Sequence, residues 1–140
     1  WVYCFIVNQP GMVPIQTLDN LIYFPDMMPT LAALAKGTKH LPKQINGINI
    51  LPLFYGKQVD TDNRLLYWEF PGKQRAARKG DWKCVTIHPN QPLELYNLKE
   101  DPEETNNLAQ KYPRRVKEFD EEMQRMHIPT PNWPQPGEQF

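Results

Sequence analysis

Gln74-Arg-Ala-Ala-Arg-Lys-Gly-Asp-Trp-Lys-Cys-Val-Thr-Ile87 is the stretch that decides the fold of this chain. Gly80-Asp81 at its centre predicts a tight turn, because glycine tolerates a positive φ and an aspartate side chain bonds its own backbone. After the turn the residues alternate as in a half-buried strand, with Trp82, Cys84 and Thr86 on one face. The stretch therefore predicts a β-hairpin.

Two further β-prone segments flank this hairpin, and a helical pattern follows them. Arg64–Phe70 precedes the hairpin and ends at the turn Pro71-Gly72, and Leu93–Leu98 follows it. Four strands with short connections predict an antiparallel meander. Beyond them, apolar residues recur every three or four positions, namely Leu108, Tyr112, Val116, Phe119, Met123 and Met126. This spacing predicts an amphipathic helix that lies across one face of the sheet.

The N-terminal part of the chain carries signals of a different kind. Val2–Val7 is a continuous apolar run, typical of a strand buried on both faces within a larger α/β sheet. Leu21–Phe24 predicts a second short strand. A helix is predicted next, with Asp26 as its N-cap and Gly37 as the stop beyond its C-terminus. Its docking stripe is predicted to be Met27, Leu31, Leu34 and Ala35. The loop-rich stretch that follows is expected to be anchored to a core by Ile48–Tyr55.

These patterns together predict an α+β fold. A four-stranded antiparallel sheet is packed by a C-terminal amphipathic helix and is preceded by a strand–helix remnant of a larger α/β domain. We expect residues 1–60 to be the end of that domain with its connecting loop, and residues 61–128 to be the α+β unit. Residues 129–140 are expected to form a proline-rich extended tail. Because an apolar strand begins directly after Trp1, we expect the chain to be cut from a longer protein.

Composition excludes several classes of protein. Sixteen basic residues balance 16 acidic ones, so no net field attracts nucleic acid or an anionic membrane surface. The longest apolar run, Val2–Val7, is far shorter than the roughly 20 residues that a membrane-spanning helix needs. Cys4 and Cys84 lie in separate apolar segments without a cluster of further ligands, which indicates buried thiols rather than a metal site. A disulfide between them is left open.

Several motifs occur in the order in which they occur near the C-terminus of sulfatases. They are Val2–Val7 with Pro10-Gly11, Asp26-Met-Met-Pro-Thr-Leu31, Asn46-Gly47 with Leu51-Pro-Leu53 and Gly56, Tyr67-Trp-Glu69, Arg75–Lys83, Leu95-Tyr-Asn-Leu98, Asp101-Pro-Glu-Glu104 and Asn107-Leu-Ala109. The chain thus resembles the C-terminal portion of the sulfatase family, which includes arylsulfatases and belongs to the alkaline-phosphatase-like superfamily. The resemblance implies that residues 1–60 are a remnant of the large sulfatase domain.

The resemblance also implies a chemistry whose central residues this chain lacks. Sulfatases use a Cys/Ser-x-Pro-x-Arg motif, converted to formylglycine, together with a divalent cation that is usually calcium. Cys4 and Cys84 are followed by other residues, so neither fits the motif. Asp19-Asn20 looks like a metal-ligand pair but stands in the wrong place in the order. We therefore expect no catalytic residue, metal ligand or cofactor here, and we assign no chemistry to His40, His88 or His127.

A contribution to the rim of the substrate cleft is the remaining expectation for the site. The resemblance implies that the small C-terminal domain can border that cleft, and the turn after Tyr67-Trp-Glu69 is the candidate contributor. Its rim residues are Phe70, Lys73, Gln74 and Arg75. Many relatives have a histidine where Phe70 stands, which puts a polar contact there in doubt. Lys73 and Arg75 can attract an anionic sulfated substrate, and a solvated basic turn is the alternative explanation.

Three functions are open at this point. The first is the C-terminal part of a sulfuric ester hydrolase that is periplasmic, secreted or lysosomal. It would pair with the missing N-terminal sulfatase domain, act on a sulfated small molecule or glycan, and be inactive as this piece alone. The second is the same part of a phosphoesterase or phosphonate hydrolase with a Thr or Ser nucleophile and two metals. The third is a free-standing glycan-binding module that uses Trp68, Trp82 and Trp133.

Overall fold

The computed structural model describes residues 17–70, 74–88, 91–132, 134 and 139. It divides the chain into two compact units, residues 1–62 and 63–140. The predicted strand Val2–Val7, the turn Pro71-Gly72 and most of the proline-rich tail lie outside the described residues. In the parts of the chain that are described, no helix has the length and hydropathy needed to cross a lipid bilayer.

The first unit is built from short helices and extended loop. Helix α1 is Met27–Leu34, helix α2 is Leu51–Phe54, and single 3-10 turns lie at Phe24–Asp26 and Thr38–His40. Ile50 and Leu53 are buried, which confirms that this part of the loop is anchored to a core.

The strand predicted at Leu21–Phe24 is wrong. The backbone N–H of Leu21 donates to the Thr61 hydroxyl at 3.2 Å rather than to a sheet neighbour. Phe24 then enters the 3-10 turn, where Pro25 has no N–H to offer a strand partner.

Asp26 precedes α1 as predicted, but its carboxylate does not bond the helix's own amides. It is fully buried, and it accepts hydrogen bonds from the backbone N–H of Tyr23 at 3.0 Å and of Ile48 at 2.9 Å. The Thr30 hydroxyl donates to the Asp26 carbonyl at 2.6 Å and accepts from the Ile50 N–H at 3.0 Å. These bonds fasten the beginning of α1 to the loop that precedes α2.

Gly47 lies where this loop passes closest to the chain before α1. A Cβ atom built on Gly47 would lie 2.0 Å from the carbonyl oxygen of Pro25. This distance is too short for any side chain at position 47. The Asn46-Gly47 motif is therefore explained by a close approach of two backbone segments, and by the Tyr23 hydroxyl donating to the Asn46 carbonyl at 2.7 Å.

One detail predicted for α1 is wrong, namely the residue at which the helix stops. The residue with positive φ at its C-terminus is Lys36, at 57°, and not Gly37. Gly37 lies one position later, where its N–H donates to the Ala32 carbonyl at 2.7 Å, as in a Schellman motif. In the predicted docking stripe, Leu31 and Leu34 are 59% and 52% accessible in this chain, and the surface against which the stripe docks stays a prediction.

The second unit is the predicted meander with its closing helix. The strands are β1 Leu66–Phe70, β2 Gln74–Lys79, β3 Trp82–Thr86 and β4 Glu94–Asn97, all antiparallel and in the order β1-β2-β3-β4, followed by helix α3 Pro113–Met126. Gly80 has a φ of 56° in the tight turn between β2 and β3, as the sequence predicts. The α+β fold class is confirmed.

The core of this unit lies between the sheet and α3. Its buried members are Ala77, Cys84, Leu95, Phe119 and Met123. Cys84 and Thr86 are buried on the predicted face of β3, and Val116, Phe119 and Met123 form the buried part of the helical stripe. Helix α3 begins only at Pro113, so Leu108 and Tyr112 precede it. Proline suits this first position because it has no N–H to leave unbonded.

Candidate functional site

The end of the sheet where β1 meets β2 carries the residues predicted for the substrate rim, and its two faces differ. Side chains alternate between faces along a strand. Glu69 lies opposite Arg75, and Phe70 lies opposite Gln74. Arg75 shares its face with buried Ala77, which packs against α3, while Phe70 and Gln74 lie on the other face. The predicted rim residues are therefore divided between an inner, helix-covered face and an outer face.

On the inner face, the Glu69 carboxylate binds two side chains. Its Oε1 lies 2.6 Å from Nδ1 of His127, the residue directly after α3. The Tyr67 hydroxyl donates to the same oxygen. The His127 and Glu69 side chains are only 10% and 17% exposed. Strand β1 and the end of α3 are thus joined by a largely desolvated polar contact.

Arg75 lies beside this contact and is held by the helix. Its guanidinium is 3.3 Å from Oδ1 of Asp120, with the two side chains 20% and 34% exposed. The other carboxylate oxygen of Asp120 accepts a hydrogen bond from the Gln124 amide at 3.0 Å. Arg75 is therefore not the solvated basic residue of the alternative explanation, and its charge is directed to α3.

Burial controls the protonation of the other groups on this face. It raises the pKa of the Tyr67 phenol, and the hydrogen bond to Glu69 raises that pKa further. Burial likewise raises the pKa of the Cys84 thiol to about 12, with a smaller contribution from Asp120. A thiol that stays protonated at neutral pH is a poor nucleophile. Cys84 is accordingly a core residue, as expected.

The outer face presents apolar side chains to solvent. Phe70 is 65% exposed and Trp68, two residues earlier on the same face, is 41% exposed. Gln74, opposite Phe70, is half-buried. Lys73 lies outside the described residues. The structure thus brings Phe70 and Gln74 together and places Arg75 on the opposite face. Their contact with a substrate stays a prediction.

The other two tryptophans predicted for a glycan platform are Trp82 and Trp133, and neither is described as an exposed ring. Trp82 packs against the core, and its ring meets Tyr112 edge-on with centroids 5.3 Å apart. The guanidinium of Arg115 lies 4.3 Å from the centre of the Trp82 ring, within the range of a cation–π contact. Trp133 lies outside the described residues. Only Trp68 is described as a ring that a ligand can reach.

The residues needed for ester hydrolysis are not assembled here. The whole chain contains no serine, and its two cysteines lack the Cys/Ser-x-Pro-x-Arg motif. Within the described ranges, no group of three or more His, Cys, Asp or Glu residues is placed to hold a metal ion. Asn20 donates to the Thr61 hydroxyl at 3.3 Å, and His40 and His88 are exposed.

Comparison with known proteins decides the family. The sequence profile described as N-sulphoglucosamine sulphohydrolase, C-terminal, matches residues 3–128. The chain belongs to this sulfatase C-terminal family. The match spans both units and includes the hairpin, the Tyr67-Trp-Glu69 motif and the closing helix, so the predicted resemblance is confirmed.

Individual sulfatases agree with this assignment. Arylsulfatase K of Gallus gallus is 28% identical to the chain, over 82% of the chain and 24% of that protein. A solved sulfatase structure from Bacteroides thetaiotaomicron, described under metabolism of multiple glycosaminoglycans, is 26% identical with a TM-score of 0.59. It is matched over 71% of this chain and 24% of its own.

An uncharacterised protein of Haemophilus influenzae is more similar in sequence, at 32% identity over 88% of the chain and 67% of that protein. The chain therefore spans about two thirds of this relative but only about a quarter of the sulfatases named above. It corresponds to the C-terminal part of the sulfatases.

The contact that sequence reasoning missed is the one between Glu69 and His127. The two residues are 58 positions apart, and the sequence alone assigns no chemistry to His127. The available signal was the phase of the two elements. Glu69 lies on the same face of β1 as Tyr67, and His127 follows Met123 by one helical turn on the face that meets the sheet.

Proposed function

We propose that this chain is the C-terminal subdomain of a sulfatase that hydrolyses sulfate esters. The observation that carries the proposal is the match of residues 3–128 to the sulfatase C-terminal family. The family match favours a sulfatase over the related phosphoesterases and phosphonate hydrolases. In this role the second unit is an α+β subdomain held by its own core, and the first unit connects it to the remainder of the sulfatase fold.

The nucleophile must then come from sequence other than these 140 residues. The absence of serine and of the Cys/Ser-x-Pro-x-Arg motif leaves no residue that can become formylglycine. Among the described residues the donor sets do not fit calcium, because no three carboxylate, thiol or imidazole groups converge. This part of the protein therefore supplies shape and surface, and no catalytic step is assigned to it.

The outer face of β1 and β2 is the part of this subdomain best suited to border a substrate cleft. Phe70 and Trp68 expose 65% and 41% of their surfaces, and aromatic rings of this kind pack against the apolar faces of sugars. Gln74 stands opposite Phe70 and can donate and accept hydrogen bonds. A sulfated glycan is the substrate class that suits this surface, and a sulfated small molecule is the alternative.

Sulfate release tests the proposal directly. The purified 140-residue chain is expected to release no sulfate from an aryl sulfate or from sulfated oligosaccharides, with or without added calcium. Metal-dependent turnover by this chain would contradict the division of roles proposed above. The coding sequence upstream of Trp1 provides the second test. A Cys/Ser-x-Pro-x-Arg motif there supports a sulfatase, whereas a Thr or Ser nucleophile in another context supports a phosphoesterase.

Tryptophan fluorescence distinguishes the subdomain from a free-standing glycan-binding module. Flat titrations with sulfated and neutral oligosaccharides are expected for the isolated chain, because one side of a cleft holds a sugar weakly. Saturable binding that Trp68→Ala removes would support the module instead. Leu31→Ala is the control, since Leu31 is 59% exposed and belongs to the first unit.

A further inference from the structure

We propose that Glu69 and His127 form a pH-dependent clasp that fastens the end of α3 to strand β1. The carboxylate oxygen and the ring nitrogen are 2.6 Å apart, which is a short distance typical of a charge-assisted hydrogen bond. Both side chains are mostly removed from water, where such a bond is stronger than at the surface. The clasp rests on this geometry and not on the function proposed above.

The position of His127 gives protonation a structural consequence. His127 is the C-cap residue of α3, and its own N–H donates to the Met123 carbonyl at 3.2 Å. The C-terminus of a helix carries a partial negative charge that favours a cation. A protonated His127 therefore interacts favourably with both the helix end and Glu69, whereas a neutral ring keeps only a hydrogen bond.

The charges around the clasp also favour the protonated form of His127. The described ionisable groups facing it are Glu69 and Tyr67 on β1, Arg75 on β2, and Asp120 on α3. The phenol of Tyr67 stays neutral, because burial and the hydrogen bond to Glu69 raise its pKa. Arg75 pairs with Asp120, and a protonated His127 places a positive charge next to the Glu69 carboxylate.

The sign of the pH dependence follows from which form is bound. Because the folded state binds protonated His127 more strongly than the unfolded state does, the stabilisation is fully present below about pH 6.5, where an unfolded histidine titrates. It is lost as the pH rises through the titration of His127 in the folded protein. The clasp is therefore closed in mildly acidic solution and weakened in alkaline solution.

Nuclear magnetic resonance of the three histidine rings tests the clasp in the unaltered chain. Above the titration of His127, the proton is expected on Nδ1, because the carboxylate accepts from that nitrogen. A free histidine ring more often carries its proton on Nε2, so the tautomer is diagnostic. A ring of His127 protonated on Nε2 at alkaline pH would overturn the proposal, and this measurement needs no variant that has to fold.

The variant Glu69→Gln then measures the charge. It is expected to move the titration midpoint of His127 to lower pH by about one unit, a tenfold change in proton affinity. The midpoints of His40 and His88 should not move. Tyr67→Phe keeps both partners of the clasp and should shift the His127 midpoint much less. A midpoint of His127 that is the same in the unaltered chain and in Glu69→Gln would show that no clasp exists.

Discussion

Each of the two units of this chain is stabilised internally by a different kind of interaction. The second unit has an apolar core of residues from the sheet and α3, and the one buried polar side chain described in it is Thr86. The first unit buries the polar side chains of Asp26, Thr30 and Thr61 beside a few apolar ones, while Leu31 and Leu34 of α1 are exposed. Hydrophobic burial is insensitive to small displacements, whereas a buried carboxylate requires its donors in place. The comparison indicates that the stability of the second unit depends on the volume of its core side chains. The stability of the first unit depends on the geometry of its hydrogen bonds.

Removing volume from the second unit should have the largest effect. Phe119→Ala deletes a ring that is 6% exposed in the core, and such a change lowers the free energy of unfolding by about 3–5 kcal/mol. Urea unfolding followed by circular dichroism measures the loss. Ile128→Ala, at a site 76% exposed, should change stability by less than about 0.5 kcal/mol. Equal effects of the two substitutions would show that α3 does not close this core.

Removing an acceptor from the first unit should have the next largest effect. Asp26→Ala leaves the backbone N–H groups of Tyr23 and Ile48 without the carboxylate that binds them. Losing two hydrogen bonds to a buried charge costs about 3 kcal/mol. Amide hydrogen exchange should accelerate at Tyr23 and Ile48 and stay unchanged in β2 and β3. Acceleration throughout both units would contradict the view that these hydrogen bonds stabilise the first unit and not the second.

This contrast also explains which features were predictable from sequence. The hairpin, the meander and the buried face of β3 follow from local alternation and from turn residues such as Gly80. Periodicity also identified the stripe of α1, but it shows which residues share a face and not whether that face is covered. Asp26 was recognised as a helix-start residue, yet its donors come from Tyr23 and from distant Ile48, and no local pattern encodes the second contact.

The candidate site likewise has features that the sequence predicts and features that it does not. Alternation along β1 and β2 is sufficient to place Phe70 beside Gln74 and Arg75 on the other face, once the register is known. The partners of Arg75 and Glu69 come from α3 and the residue after it. They depend on how the helix is positioned over the sheet, which sequence spacing does not specify. Trp68 has a large ring that would be expected to fill the interface between sheet and helix, but it is 41% exposed.

A steric test of the first unit should have a smaller but distinct effect. Gly47→Ala places a methyl group 2.0 Å from the Pro25 carbonyl oxygen, so the backbone must shift at a cost of about 1–3 kcal/mol. Gly56→Ala is the comparison, because no atom lies within 4 Å of its Cβ position and only its φ of 72° is unfavourable. That strain alone costs about 1 kcal/mol. A larger loss at Gly56 than at Gly47 would refute the close approach.

The smallest expected effect is a gain in stability at the end of α1. Lys36 has a φ of 57°, a conformation that costs a residue with a side chain roughly 1 kcal/mol and costs glycine almost nothing. Relief of this strain by Lys36→Gly should raise the free energy of unfolding by about 0.5–1 kcal/mol. The entropy that glycine adds to the unfolded chain offsets part of this gain.

Gly37→Ala sharpens this last prediction, since Gly37 is the residue at which the sequence predicts the helix to stop. The φ of Gly37 is −104°, and its nearest non-neighbouring atom is the Ala32 carbonyl oxygen, 3.8 Å from the Cβ position. Alanine should thus be accepted there without loss, and it should stabilise slightly by restricting the unfolded chain. Destabilisation by Gly37→Ala together with no gain from Lys36→Gly would move the left-handed residue back to Gly37. The helix would then end as its sequence alone suggests.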